Sequence, residues 1–177
     1  MPVSPFPSST SPTPMIELLF NIANLFVLPF WVLMIFLPNW GVTRRVMQFD
    51  LPFVVLAGLY VYLFASNLTT TSAQDFASAQ LADIARLFSN EAIAATGWVH
   101  YLVMDLFVGR WIYWEGQQTG VWTVHSLALC LFAGPMGLLS HLITSWIWRG
   151  KAAEVAESSP NSTPDSTPDS TQVGSST

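Results

Sequence analysis

The stretch Met15–Leu37, MIELLFNIANLFVLPFWVLMIFL, decides the fold. Only Glu17, Asn21, Asn24 and Pro29 interrupt its apolar run. As a helix rising about 1.5 Å per residue it extends about 34 Å, enough to cross a hydrocarbon core of about 30 Å. Three further apolar runs follow, at Leu51–Leu68, Glu91–Tyr113 and Trp122–Trp148, separated by Pro38-Asn39-Trp40-Gly41, by a polar region and by Glu115–Gly120. The pattern predicts an all-α membrane protein: a four-transmembrane-helix bundle over residues 15–150, with spans at 15–37, 51–68, 91–113 and 122–148. Arg44, Arg45 and Asp50 are expected in a short polar loop before the second span. Between the second and third spans, Phe76, Leu81, Ile84, Leu87 and Phe88 fall mostly on one stripe, which predicts an amphipathic interfacial helix near 73–89.

Composition agrees. Of the 177 residues, 51% are hydrophobic and 10% charged, against about 25% charged in an average soluble domain. Each charge inside a span needs a reason, since Asp, Lys or Arg at a bilayer centre costs about 2.5 to 3.5 kcal/mol. Nucleic-acid binding is excluded as a main role, because there is no basic patch and the pI is about 4.9. Cys130 is the sole cysteine, so no disulfide or CxxC site forms. The Pro- and Ser/Thr-rich residues 1–14 lack the charged start of a signal peptide, and 151–177 are a Ser/Thr/Pro/Asp-rich tail; disorder is expected for both. Four crossings would put both termini on one side. Lys and Arg then divide three against three, Arg44, Arg45 and Arg110 against Arg86, Arg149 and Lys151, so orientation is open.

Polar residues inside the spans carry the functional signal, because each must pair or face a cavity. Glu17, Asn21 and Asn24, spaced four and three apart, share one stripe that must face the bundle interior, as interhelical hydrogen-bond glue or as a ligand lining. His100, Asp105 and Arg110 lie five apart, about 140° around a helix, and cannot share one groove. Antiparallel packing of the third and fourth spans sets two polar layers, Asp105/Arg110/His125 and Glu17/Asn21/His141, with His100 between them and a kink at Pro135 opening the fourth helix. The bland alternative is an Asp105–Arg110 ion pair with backbone-satisfied histidines. No metal site is expected, and His125 and His141 are too far apart on one helix to stack on a haem.

The strings Asn21–Trp31, Asp105-Leu-Phe-Val-Gly-Arg-Trp-Ile112 and Gly134-Pro-Met-Gly-Leu-Leu-Ser-His141, in this order and spacing, resemble the abscisic-acid-deficient-four family of neoxanthin synthases over Met15–Trp148. The resemblance implies a cyanobacterial-type membrane protein of carotenoid biosynthesis, in a thylakoid or plasma membrane, that isomerises the 5,6-epoxide of a violaxanthin-type xanthophyll to a neoxanthin-type allene without a cofactor. Its implied partners are a carotenoid or another long apolar substrate, the bilayer, and either a homo-oligomer or a pigment–protein complex. Epoxide opening needs an acid at the oxygen and a base at the neighbouring polyene carbon. Asp105 is then the candidate acid, His125 or His100 the base and Arg110 a clamp, with Glu17, Asn21, Asn24, Trp31 and His141 as substrate-binding residues. The competing reading is a non-catalytic carotenoid-binding or pigment-assembly protein.

Overall fold

The computed structural model describes residues 14–68 and 80–157. Among them are seven helices and no strand: α1 (Pro14–Phe36), α2 (Gly41–Gln48), α3 (Leu51–Leu68), α4 (Leu81–Phe88), α5 (Glu91–Thr119), α6 (Val124–Phe132) and α7 (Gly134–Glu157). The expectations for residues 1–13, for the first part of the interfacial helix and for 158–177 lie outside the described residues. α4 is the described part of that helix, and α7 runs past the expected end of the ordered region to Glu157.

α1 and α5 are each long and apolar enough to cross a membrane, with mean hydropathies of 2.2 and 1.4, and α2 with α3 passes the same test as a pair bent by 44°. α1 continues through Pro29 without a break. The expected polar loop is in fact largely α2, whose start is held by Thr43 Oγ1 donating to the Leu37 carbonyl at 2.7 Å. α5 is capped by Asn90, whose side chain accepts from the Ala92 and Ile93 N–H groups. It overruns its expected end by six residues and stops at Gly120, whose φ of 72° is a left-handed conformation suited to glycine.

α5 is the central element, and the register of its contacts fixes every direction. α1 runs parallel to it: Trp98 donates to Asn24 within the first half of both helices, and the Tyr113 hydroxyl donates to the Pro38 carbonyl near their ends. α3 runs antiparallel, as Asp50 meets Arg110, Phe53 meets Phe107, Tyr60 meets His100 and Asn67 meets Thr96. The core is the seam between them, where Trp31, Met34, Leu56, Val99, Leu106 and Ile112 are buried.

The fourth expected span does not form. At Ala133 the backbone goes extended (φ −158°, ψ 97°) and the chain reverses, so α6 and α7 make an antiparallel hairpin instead of one kinked helix. His125 pairs with Thr144, Ser126 with Ser140, and Cys130 lies against Gly137. The nine residues of α6 carry the chain about 13 Å alongside α5 before α7 brings it back. The reversal places His141 beside Glu115, far from Glu17 and Asn21, and dissolves both expected polar layers.

Much of the outward surface is apolar. Leu25 is 70% exposed, Phe36 74% and Phe132 86%, more than a water-facing monomer leaves open.

The hairpin depends on backbone proximity. A Cβ on Gly137 would sit 2.5 Å from the Cys130 Cα and N, so the helices must part to admit it. Gly58 in α3 has nothing within 4 Å of such a Cβ. Gly137→Ala should therefore destabilise the protein by about 1 to 3 kcal/mol, while Gly58→Ala is neutral or stabilises by up to about 1 kcal/mol through helix propensity. Thermal unfolding of the detergent-solubilised variants checks the opposite signs.

Candidate functional site

The polar residues of α5 point two ways, with Asp105 about 140° around the helix from each of the other two. His100 faces α3, its ring 5.4 Å from that of Tyr60. Arg110 also faces α3, with Nη1 donating to Asp50 Oδ1 at 2.6 Å and the guanidinium 5.0 Å over the Phe53 ring. An Asp105–Arg110 ion pair is therefore not formed. Asp105 faces the hairpin tip, where its carboxylate accepts a hydrogen bond from the Gly134 backbone N–H.

That contact resolves a problem of the hairpin. The first N–H groups of a helix have no partner inside it, and α7 begins deep beside α5, away from its ends. Pro135 removes one donor outright, and Met136 and Gly137 donate back to the Ala133 carbonyl. Gly134 is left, and Asp105 accepts from it. The α7 dipole also favours a negative charge at this point. A Cβ on Gly134 would run into Asp105 Oδ1, so the carboxylate reaches this N–H only because residue 134 is glycine. The Cys130 thiol donates to the Asp105 carbonyl at 3.4 Å, tying the end of α6 to the same turn of α5.

Asp105 also lines a cavity of about 380 Å³ between α1, α5 and α6. Its polar end has Asn21, Asn24 and Trp98, and its apolar walls include Leu28, Trp31 and Leu131. Asn24 is braced from both sides: Nδ2 donates to the Phe20 carbonyl at 2.8 Å, and Oδ1 accepts from Trp98 Nε1 at 2.9 Å. Trp31 is buried against Gly109, where a Cβ would come within 2.6 Å of the indole. Leu25, Leu28 and Trp98 are exposed at the rim, so the cavity opens sideways between helices. Among the described residues, Asp105 is the one ionisable side chain on its wall.

Four residues singled out from sequence, Asn21, Asn24, Trp31 and Asp105, thus meet in one cavity. The others lie elsewhere. Glu17 is exposed one turn before Asn21. His125 Nε2 is 2.9 Å from Thr144 Oγ1 and 3.1 Å from Ser126 Oγ, within the hairpin. His141, fully buried, shares Nε2 with Glu115 Oε2 at 2.8 Å, while Arg149 donates to Glu115 Oε1 at 2.6 Å. The Nδ1 atoms of both histidines are buried without a partner. A neutral imidazole protonated on Nε2 makes the His141 orphan a bare lone pair, less costly than a stranded N–H. This second cluster pins α7 to the end of α5. Among the described residues no group of three or more His, Cys, Asp and Glu is arranged to hold a metal ion.

Two participants escaped the sequence reading. Trp98 looked like one more membrane aromatic, yet it closes the cavity's polar end and satisfies Asn24. Glu115 read as part of a turn because α5 was expected to stop at Tyr113; Gly120 was the available signal that the helix runs on.

A family model described as ABA DEFICIENT 4-like matches residues 18–141, from the first turns of α1 to His141 in α7. The chain is 36% identical over 133 residues to Protein ABA DEFICIENT 4, chloroplastic, of Arabidopsis thaliana; the match covers 72% of this chain. It spans about 60% of that relative's length. No solved structure matches.

If Asp105 caps α7, the amide of Asp105→Asn still offers an oxygen to the Gly134 N–H, whereas Asp105→Leu strands a buried donor at a cost of about 1 to 3 kcal/mol. Asp105→Asn should accumulate near the wild-type level and Asp105→Leu well below it. Immunoblots of membrane fractions, normalised to expression, test the difference.

Proposed function

We propose that this chain, which belongs to the ABA DEFICIENT 4-like family, is an integral membrane protein of carotenoid metabolism that isomerises an epoxy-carotenoid in the α1–α5–α6 cavity. The cavity volume falls in the range of about 300 to 1,000 Å³ used by small-molecule sites. It suits one oxygenated end ring, with the polyene leaving past Leu25 and Leu28 into lipid. The amides of Asn21 and Asn24 and the Trp98 edge face the ring's oxygens. In a photosynthetic membrane, thylakoid or plasma, a violaxanthin-type 5,6-epoxide is the substrate and a neoxanthin-type allene the product.

The reading rests on one observation: among the described residues Asp105 is the sole ionisable group on the cavity wall, and it lies against the first backbone N–H of α7. A carboxylate there acts first as base. It takes the proton from the polyene carbon next to the epoxide; that C–H pair becomes the new C=C bond of the allene. The adjacent ring C–O bond breaks with its electrons going to oxygen, and the proton held by Asp105 passes to that oxygen as the hydroxyl. Atoms balance and no oxidant is used. The apolar walls keep out the water that would otherwise hydrolyse the epoxide. In this form the histidines take no part, since His100 faces α3 and His125 lies within the hairpin.

One observation favours the alternative, a protein that holds carotenoid without converting it: Asn24 and Asp105 both have hydrogen-bond partners within the fold. A turnover assay separates the two. Wild-type protein in liposomes with violaxanthin should form an allenic product seen by chromatography, and Asp105→Asn should retain the pigment while conversion falls by about 10² or more. Pigment retained by wild type with no product supports the binder.

A further inference from the structure

We infer that the chain crosses its membrane three times, through α1, α3 and α5, and that the end carrying the hairpin mouth faces the cytoplasmic side of the bilayer. Directions come from the contact register. α1 and α5 run the same way, α3 the opposite way, and the α6–α7 hairpin enters and leaves beside the C-terminal half of α5. An odd number of crossings follows, with the start of α1 and the end of α7 on opposite sides.

This topology resolves the charge tie that four crossings leave. Arg149 reaches Glu115 near the end of α5, and Lys151 follows it, so both join Arg44, Arg45 and Arg110 at one end. The division of the six Lys and Arg becomes five against one, with Arg86 of α4 alone at the other end. Cationic residues flanking short spans are retained on the cytoplasmic side. The aromatic residues mark the same boundary. Trp40, Trp122, Trp146 and Trp148, each at least half exposed, all belong to the cationic end, where indoles sit at headgroup level. The polar end of the cavity, at Asn21 and Asn24 in the first half of α1, accordingly lies toward the other leaflet.

Single cysteines test this in the full chain, expressed in a bacterial inner membrane in a Cys130→Ser background that keeps a donor to the Asp105 carbonyl. Gly41→Cys and Gly150→Cys occupy open positions at the cationic end, and Leu81→Cys is 84% exposed at the other. A membrane-impermeant maleimide should label Gly41→Cys and Gly150→Cys at least tenfold faster in inside-out vesicles, and Leu81→Cys at least tenfold faster in right-side-out vesicles. Labelling of Gly150→Cys from the same side as Leu81→Cys would mean that the fourth run crosses, and would overturn the topology. Reversed sides for all three would overturn the orientation. A fluorescent protein fused after the native C-terminus gives a readout without substitution: it should fluoresce, and a dark fusion present at normal abundance counts against the orientation. Neither readout involves pigment, so a failed turnover assay and a failed topology remain separate results.

Discussion

A helix that begins inside an apolar layer has backbone N–H groups that no water will satisfy, and the architecture follows from meeting that requirement at Gly134. Asp105 is the side chain that meets it. Its presence on α5 fixes where the hairpin tip docks; the small residues Gly134 and Gly137 let the tip close, and the Cys130 thiol secures the other strand of the turn. Polar backbone in an apolar surrounding is tolerated where it is buried in protein, as Gly134 is here. The same carboxylate that ends the backbone's deficit forms part of the wall of the α1–α5–α6 cavity. The structural role and the proposed chemical role therefore fall on one atom group, and a change at residue 105 must be read for both.

The hairpin is anchored at its mouth as well as its tip. Glu115 receives His141 from within the bundle and Arg149 from its surface, using one carboxylate oxygen for each. Removing either partner leaves a half-buried carboxylate with a single contact, whereas the Arg110–Asp50 pair on the opposite side of α5 has one strongly exposed member and contributes little. Arg110 of α5 and Arg149 of α7 are thus not equivalent: what matters is the solvent exposure of the group each one meets.

Helix positions were legible in the sequence because apolar runs of spanning length leave few alternatives; of the polar stripe of α1, Asn21 and Asn24 line the cavity while Glu17 is exposed. The spacing of His100, Asp105 and Arg110 likewise excluded one groove shared by all three: Asp105 faces the hairpin tip while His100 and Arg110 face α3. What periodicity could not convey was the reversal at Ala133. An apolar run of this length reads the same whether it crosses once or folds back, and Gly134-Pro135 signals a kink as readily as a turn. The consequence spread: once the run was taken as a crossing, His141 was assigned to the wrong depth, and the charges balanced. Long-range partners such as Trp98 with Asn24 and Glu115 with His141 depend on which helix faces which, information that a single chain's pattern does not hold.

Determining the structure in nanodiscs with an epoxy-carotenoid bound tests the central claim most directly. The account predicts an oxygenated end ring in the cavity between α1, α5 and α6, its oxygens near Asn24 and within hydrogen-bonding reach of Asp105, with the polyene leaving between Leu25 and Leu28. Pigment held instead against the α3–α5 face beside His100 and Tyr60, with the cavity at Asp105 unoccupied, would contradict it.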